Sequence, residues 1–353
     1  MRQVSSFTTG FRGGFAPVKL PELRIARLRP SLPIIQGGMA IRLSTHRLAA
    51  AVAETGGIGI IAGTGMTVRE LVREIREARK LTKGIVGVNV MFAVSAFADL
   101  VKAAIAEKID LVISGAGFSR DMFGWGREGG VPIVPIVSTA RLARTAEKLG
   151  ASAVVVEGFE AGGHLGTDEP MKKIVPEVAS AVSIPVIAAG GIVQAEDIWE
   201  ALSLGADGVQ MGIRFAASEE GNGHPSLKQI YLNAKAEDVV LIKSPVGLPG
   251  RAIRNTFSER LAQGETFPPE HCIDCLKVCS KTFCIRQALI NAQLGKLDEG
   301  LVFSGKNVDR IREILPVRDI VSNLTAKLAT MPALPHFPRP SAPSSVTTAR
   351  VLA

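Results

Sequence analysis

The chain has 353 residues, 46% hydrophobic and 21% charged, enough apolar content for one large core or two moderate ones, which excludes wholesale disorder. Its 36 glycines follow no G-X-Y period, which excludes collagen and points to many tight loops on a regular scaffold. The formal charge of +8 leans toward anionic partners, for which a phosphate-bearing cofactor suffices. No aromatic-interleaved basic patch accompanies that charge, so nucleic acid is not expected.

The first thirty residues hold six Arg or Lys and one Glu without an apolar h-region. They read as a basic, poorly ordered arm over residues 1–30 and not as a secretion signal. From Pro33 a unit then recurs: a short branched aliphatic run, a polar or glycine-containing loop, and a stretch rich in Ala, Leu, Glu and Arg. The runs begin at Pro33, Ile58, Gly84, Leu111, Val131, Ala153, Ile184 and Gly208. Helical patterns fall between them, at Leu48–Ala53, Val68–Leu81, Phe97–Glu107, Ala140–Leu149, Ile174–Val182 and Ala195–Leu204. Strand starts spaced by about 20 to 30 residues leave room for one crossover helix each, and eight such parallel units close a TIM barrel, (β/α)8. Gly37-Gly38-Met39 after the first run lacks the G-x-G-x-x-G of a doubly wound dinucleotide fold.

The barrel core is thus expected over residues 31–215. A C-terminal extension or small lid follows over 216–315, where Ser244–Asn255 reads as loop and Phe283–Leu294 as helix. A final barrel helix is expected over 316–330, and a disordered Pro/Ser-rich tail over 331–353. No apolar stretch reaches the roughly 18 residues of a membrane helix. The four cysteines are confined to Cys272, Cys275, Cys279 and Cys284 and staple nothing distant, which suits a reducing cytoplasm.

In a parallel barrel, ligands bind at the C-terminal strand ends. Gly190, Gly191 and Gly212 sit at the ends of the last two strands, where backbone N–H groups can approach a phosphate. Arg214 beside them reads equally well as a salt-bridged surface residue. The loop Glu157-Gly158-Phe159-Glu160-Ala161-Gly162-Gly163-His164-Leu165-Gly166 places a titratable imidazole on the same face, and His164 is the expected catalytic or substrate-positioning residue. Glu157 and Glu160 can accept hydrogen bonds from cofactor or substrate, or hold the loop. Gln36 and Asn89 offer amides suited to a planar ring edge, and Met39 and Met91 offer polarizable side chains beside it.

Together the glycine-histidine loop, Pro185–Ile192 and Gly205–Phe215 resemble the nitronate monooxygenase family, also called the 2-nitropropane dioxygenase family, and the related flavin-dependent enoyl-acyl-carrier-protein reductases. The resemblance spans about residues 30 to 320 and implies an FMN-dependent oxidoreductase. By position, Gly190, Gly191, Gly212 and Ile213 contact the FMN phosphate through backbone groups. Gly37, Gly38, Met39 and Asn89 surround the isoalloxazine, Gly162 and Gly163 approach the cofactor, and His164 matches the family's active-site histidine. In that family Thr is common where this chain has Ile213, so one hydroxyl contact to the phosphate is missing here. The primary expectation is oxidation of alkyl nitronates with dioxygen to carbonyl compounds and nitrite. The alternative is NAD(P)H-dependent reduction of an enoyl thioester, with an acyl carrier protein as partner. That alternative is favoured by the likeness of Asn222–Pro225 and Gly247–Asn255 to the reductases, and Arg251 and Arg254 are then candidates for a basic entrance. A non-catalytic flavin redox sensor is the remaining reading, and a homodimer is the family's implied assembly. The four cysteines, spaced C-x2-C-x3-C-x4-C, are candidate ligands for an iron-sulfur cluster or Zn2+, or else reduced packing residues.

Overall fold

The computed structural model describes residues 19–340. Its centre is a closed parallel barrel of β1 (Ile34–Gln36), β2 (Ile58–Ala62), β3 (Ile85–Met91), β4 (Leu111–Gly115), β5 (Ile133–Val137) and β6 (Val154–Glu157). Past the short β7 (Gly163–His164), β8 (Val186–Ala189) and β9 (Gly208–Met211) complete it, and β9 pairs back onto β1 with Ile35 opposite Gln210. The crossovers are α1 (His46–Glu54), α2 (Val68–Leu81), α3 (Phe97–Ala106), α4 (Asp121–Gly129), α5 (Ala140–Leu149), α6 (Met171–Ala179) and α7 (Ala195–Ser203). The TIM barrel expected from the eight aliphatic runs is therefore the fold.

Alternation along each strand splits the strand residues between two cores. Ile35, Ile58, Ile60, Leu111, Ile113, Val134, Val155 and Ile187 fill the barrel. Ile34, Ile61, Val86, Val88, Val112, Val154, Val156 and Val186 point outward into the core shared with the helices. Because both faces are buried, the strands read as continuous Val/Ile runs. Helix starts carry local signals. Thr67 and Glu70 form a reciprocal capping box at α2, and Thr139 accepts the Leu142 amide at α5.

Both ends of the described chain are built into the barrel, in contrast to the expected disorder. Leu23, Ile25 and Leu28 are buried and join the interior cluster, so residues 19–30 pack into the barrel core. At the other end, Phe337 lies over Gly205, and Arg339 donates to the carbonyls of Gly205 (2.9 Å) and Ile184 (2.8 Å) and pairs with Asp207 at 3.0 Å. Proline-rich sequence removes helix and strand but not the capacity to strap a surface. The remaining parts of the expected arm and tail, 1–18 and 341–353, lie outside the described residues.

After β9 come α8 (Ile213–Ala216), α9 (Pro225–Asn233), β10 (Val239–Lys243), β11 (Pro249–Ile253), α10 (Thr256–Ala262) and α11 (Ile285–Gln293). α12 (Val317–Leu328) packs on α7 and α1, the place of the last barrel helix. β11 corrects the expected loop over Ser244–Asn255. Pro249 and Gly250 disguise a strand, yet a proline is tolerated at a strand's first residue. β11 pairs with β10 and, with Gly250 opposite His164, with β7, making a small sheet outside the barrel. Among the described residues no helix is long and apolar enough to cross a membrane.

Candidate active site

The C-terminal strand ends surround one cavity of about 540 Å³, within the range of cofactor and substrate pockets. It is lined by Gly37, Gly38 and Met39 after β1, Asn89 and Met91 of β3, Glu157 of β6, and Gly162, Gly163 and His164 in the following loop. Gly190 and Gly191 after β8, and Gly212 and Ile213 after β9, complete the set. The expected catalytic and flavin-site residues thus converge, with Gln36 and Glu160 as the exceptions. The fully buried Gln36 amide is consumed internally: Nε2 donates to the Gly37 carbonyl and to Ser44 Oγ, and Oε1 accepts the Ile60 amide at 2.9 Å. Gln36 shapes the β1 loop and does not line the cavity.

Close backbone approach is built in at two places. A Cβ on Gly38 would stand 2.4 Å from Asn89 Cβ, so only glycine lets this loop press against β3. Gly190 (φ +104°) and Gly191 (φ +71°) are left-handed, a backbone conformation in which successive N–H groups can face one anion. Asn307 Nδ2 donates to the Gly191 carbonyl at 2.6 Å and fixes that turn.

His164 belongs to β7 and is therefore held by the extension. Its Nε2 lies 2.8 Å from Ser244 Oγ, which also accepts the Val246 amide, and its ring meets Phe303 edge-on at 5.1 Å. Burial pushes its pKa down to about 4, leaving a neutral imidazole at physiological pH. Burial pushes the Glu157 carboxyl up to about 7. The cavity therefore contains a neutral base and a carboxyl that titrates near neutrality, an arrangement suited to proton handling.

Glu160 holds the loop: its carboxylate accepts the Met171 amide at 3.0 Å. Arg251, expected at a basic entrance, is instead buried. Its guanidinium donates to the carbonyls of Ala161 (3.1 Å) and Phe159 (2.7 Å) and stacks on the Phe159 ring, locking the glycine-histidine loop from below. Arg254 remains exposed and donates to the Glu237 carbonyl. Arg214 is buried and donates to the carbonyls of Ala217 and Glu313 in place of any surface pairing.

For the four cysteines, candidate metal ligands or else reduced packing residues, the structure gives no support to the metal reading. Among the described residues no group of three or more His, Cys, Asp or Glu is arranged to hold a metal ion. Cys272 is exposed with Sγ on Asp274, whereas Cys275 and Cys279 pack against the outer core and Cys284 precedes α11. Their loop is fastened to the segment after β3 instead. Ser95 N donates to Cys275 O at 3.0 Å, Lys277 N donates to Ala93 O at 2.9 Å, and the Lys277 ammonium sits over the Phe92 ring. This brings Ile273, Cys275 and Leu276 into the cavity wall.

The donor and acceptor set fits the FMN implied by the sequence. Gln210 of β9 lines the cavity with Oε1 buried and without a hydrogen-bond partner among the described residues, an acceptor suited to an N–H on a ring edge. Gln210 was hidden in an ordinary strand run, and only its place at a barrel-strand end could have flagged it. Ser244, Phe303 and Tyr231 were also missed, because the extension that carries them has no repeat to number it by.

A family model described as nitronate monooxygenase matches residues 23–112 and 101–327. Among solved structures, FabK from Thermotoga maritima superposes with a TM-score of 0.78 at 36% identity, covering 85% of this chain and 93% of that one. Nitroalkane oxidase from Streptomyces ansochromogenes gives 0.73 at 26% identity, covering 85% and 96%. A probable nitronate monooxygenase of Staphylococcus aureus is 30% identical over 337 residues, 83% of this chain and 93% of its own length. The (3aS,4S,5R,7aS)-5-hydroxy-7a-methyl-1-oxo-octahydro-1H-indene-4-carboxyl-CoA dehydrogenase of Mycobacterium tuberculosis is 32% identical over 235 residues, 66% of this chain and 66% of its own length. With the barrel, the glycine turns and the histidine loop in place, this chain belongs to the nitronate monooxygenase family, in the FMN oxidoreductase superfamily that also includes FabK.

Proposed function

We propose that the protein is an NAD(P)H-dependent FMN oxidoreductase that reduces the carbon–carbon double bond of an enoyl thioester, giving the saturated thioester and NAD(P)+ with uptake of one proton. The observation that carries this reading is the apolar arm of the cavity. Val94, Leu100, Ile273, Leu276, Ile285 and Leu289 give the cavity an apolar wall suited to an acyl chain, which a small nitronate does not need. The 36% identity to FabK against 26% to nitroalkane oxidase supports the same choice, as does a relative named as a carboxyl-CoA dehydrogenase.

Bound FMN supplies the hydride relay between the nicotinamide and the β-carbon of the enoyl group. Gly190, Gly191, Gly212 and Ile213 hold the phosphate through the backbone. Gly37, Gly38, Met39, Asn89 and Gln210 bound the ring, and Gly162 and Gly163 close over it. His164, neutral and steadied by Ser244, donates a hydrogen bond to the thioester carbonyl, and a neutral imidazole suffices to polarise it. Glu157, protonated below about pH 7, delivers the proton to the α-carbon. The cytoplasmic setting expected from the sequence goes with this reading, since NAD(P)H is its reductant.

Nitronate oxidation is the second reading, favoured by the description of the matched family and by the staphylococcal relatives. Anaerobic mixing separates the two. Bleaching of the flavin by NADH or NADPH, followed by recovery of its absorbance with crotonyl-CoA, is the expected result. Bleaching by a nitronate but by neither nucleotide would overturn the reductase reading.

A further inference from the structure

Tyr231 is the single tyrosine of the chain. It lies on α9, one turn beyond Leu227, and both face inward with side chains about 1% exposed. Its surroundings are apolar, among them Val193, Ala216 and Val308, with Ile213 packed against the same cluster. Burial alone raises its pKa, with no hydrogen bond contributing, so the hydroxyl keeps its proton and is a donor at any physiological pH. Among the described residues, the fully enclosed side-chain atoms that lack a partner are Gln210 Oε1 and Arg214 Nε and not the Tyr231 hydroxyl, and the residue lines the cavity, where an acceptor can reach it. The ring lines the same cavity as Gly190, Gly191, Gly212 and Ile213. Ile213, packed against the same cluster as Tyr231, carries no side-chain donor, so at this end of the cavity α9 introduces one that position 213 does not offer.

We infer that Tyr231 donates its hydroxyl hydrogen to the phosphate of FMN and so replaces, from α9, the donor that position 213 lacks. The inference rests on the FMN assignment but not on the choice of substrate, because it is read from binding without turnover. A phosphate is an acceptor only, and hydrogen bonds to charged groups are the stronger kind. Riboflavin has the same ring and no phosphate, so it separates this contact from any effect on the isoalloxazine cradle.

The test compares wild-type apo-protein with Tyr231→Phe, titrating FMN and riboflavin separately by quenching of flavin fluorescence, with thermal unfolding as a check that the variant is folded. The variant is expected to lose about tenfold in FMN affinity, about 1.4 kcal/mol, while its riboflavin affinity is unchanged. Adding Ile213→Thr to Tyr231→Phe is expected to recover FMN affinity without affecting riboflavin. FMN affinity within twofold of wild type in Tyr231→Phe, or an equal loss for both flavins, would overturn the inference. Wild-type protein that takes up neither flavin would overturn it together with the cofactor assignment, whereas failure of enoyl-thioester turnover with normal FMN binding would count against the substrate reading alone.

Discussion

His164 and Glu157 show how burial can set proton chemistry without a charged partner. Neither shift arises from a neighbouring charge; each follows from desolvation, which favours the neutral form and so moves a base down and an acid up. Replacing His164 with Ala is expected to lower turnover by about 10²-fold or more with FMN still bound, since the proposed phosphate contacts come from other loops. Ser244→Ala should act in the same direction more weakly, through kcat and not KM, because it steadies the imidazole without touching the substrate. In the proposed role of Glu157 the acid form is the working one, so turnover is expected to fall as pH rises through about 7, and Glu157→Gln should abolish that limb of the profile. The same shift bears on stability. Between about pH 4.5 and 7 the folded apo-protein keeps a proton that the unfolded chain releases, so stability falls as pH rises across this window. Urea unfolding of apo Glu157→Gln should therefore show a gain over wild type at pH 8, up to about 3 kcal/mol, and little gain at pH 4.5. Equal gains at both values would mean that the carboxyl is not desolvated.

At the level of elements, the barrel was legible because strands buried on both faces read as uninterrupted Val/Ile runs, and the crossover helices as Ala/Leu/Glu/Arg stretches between them. β7 and β11 were not. One is two residues long, and the other opens with Pro-Gly-Arg; what makes them strands is pairing across more than eighty residues of sequence, which local pattern does not carry. The glycine-histidine loop was visible as a motif, but its supports were not: Arg251 looks like a surface cation in sequence and is a buried clamp on two carbonyls. Gln36 was misplaced for the converse reason, since an amide at a strand end can satisfy the loop around it as readily as a ligand. The segment 19–30 carries only Leu20, Leu23, Ile25 and Leu28 as large apolar residues among prolines and charges, too few to announce a packed element. Leu23→Ala is expected to cost roughly 2 to 4 kcal/mol in urea unfolding, because this side chain is fully buried and joins the barrel-interior cluster. A loss below 0.5 kcal/mol would show that residues 19–30 do not contribute to the barrel core.

Over the whole molecule, the barrel supplies a floor of backbone donors and the extension supplies the walls that decide what enters. His164 is positioned by a sheet that the extension completes, and the apolar arm of the cavity is made where the cysteine loop is fastened over the segment after β3. On the proposed reading, the phosphate turns and the histidine would serve either nitronate or thioester chemistry, and the walls would select the substrate. The most direct test is a single anaerobic turnover. Enzyme reduced with one equivalent of NADPH or NADH, then mixed with crotonyl-CoA in the absence of oxygen, is expected to yield one butyryl-CoA per flavin, and His164→Ala should slow that step. Unchanged crotonyl-CoA, alongside release of nitrite when the oxidised enzyme meets a nitronate in air, would contradict the account.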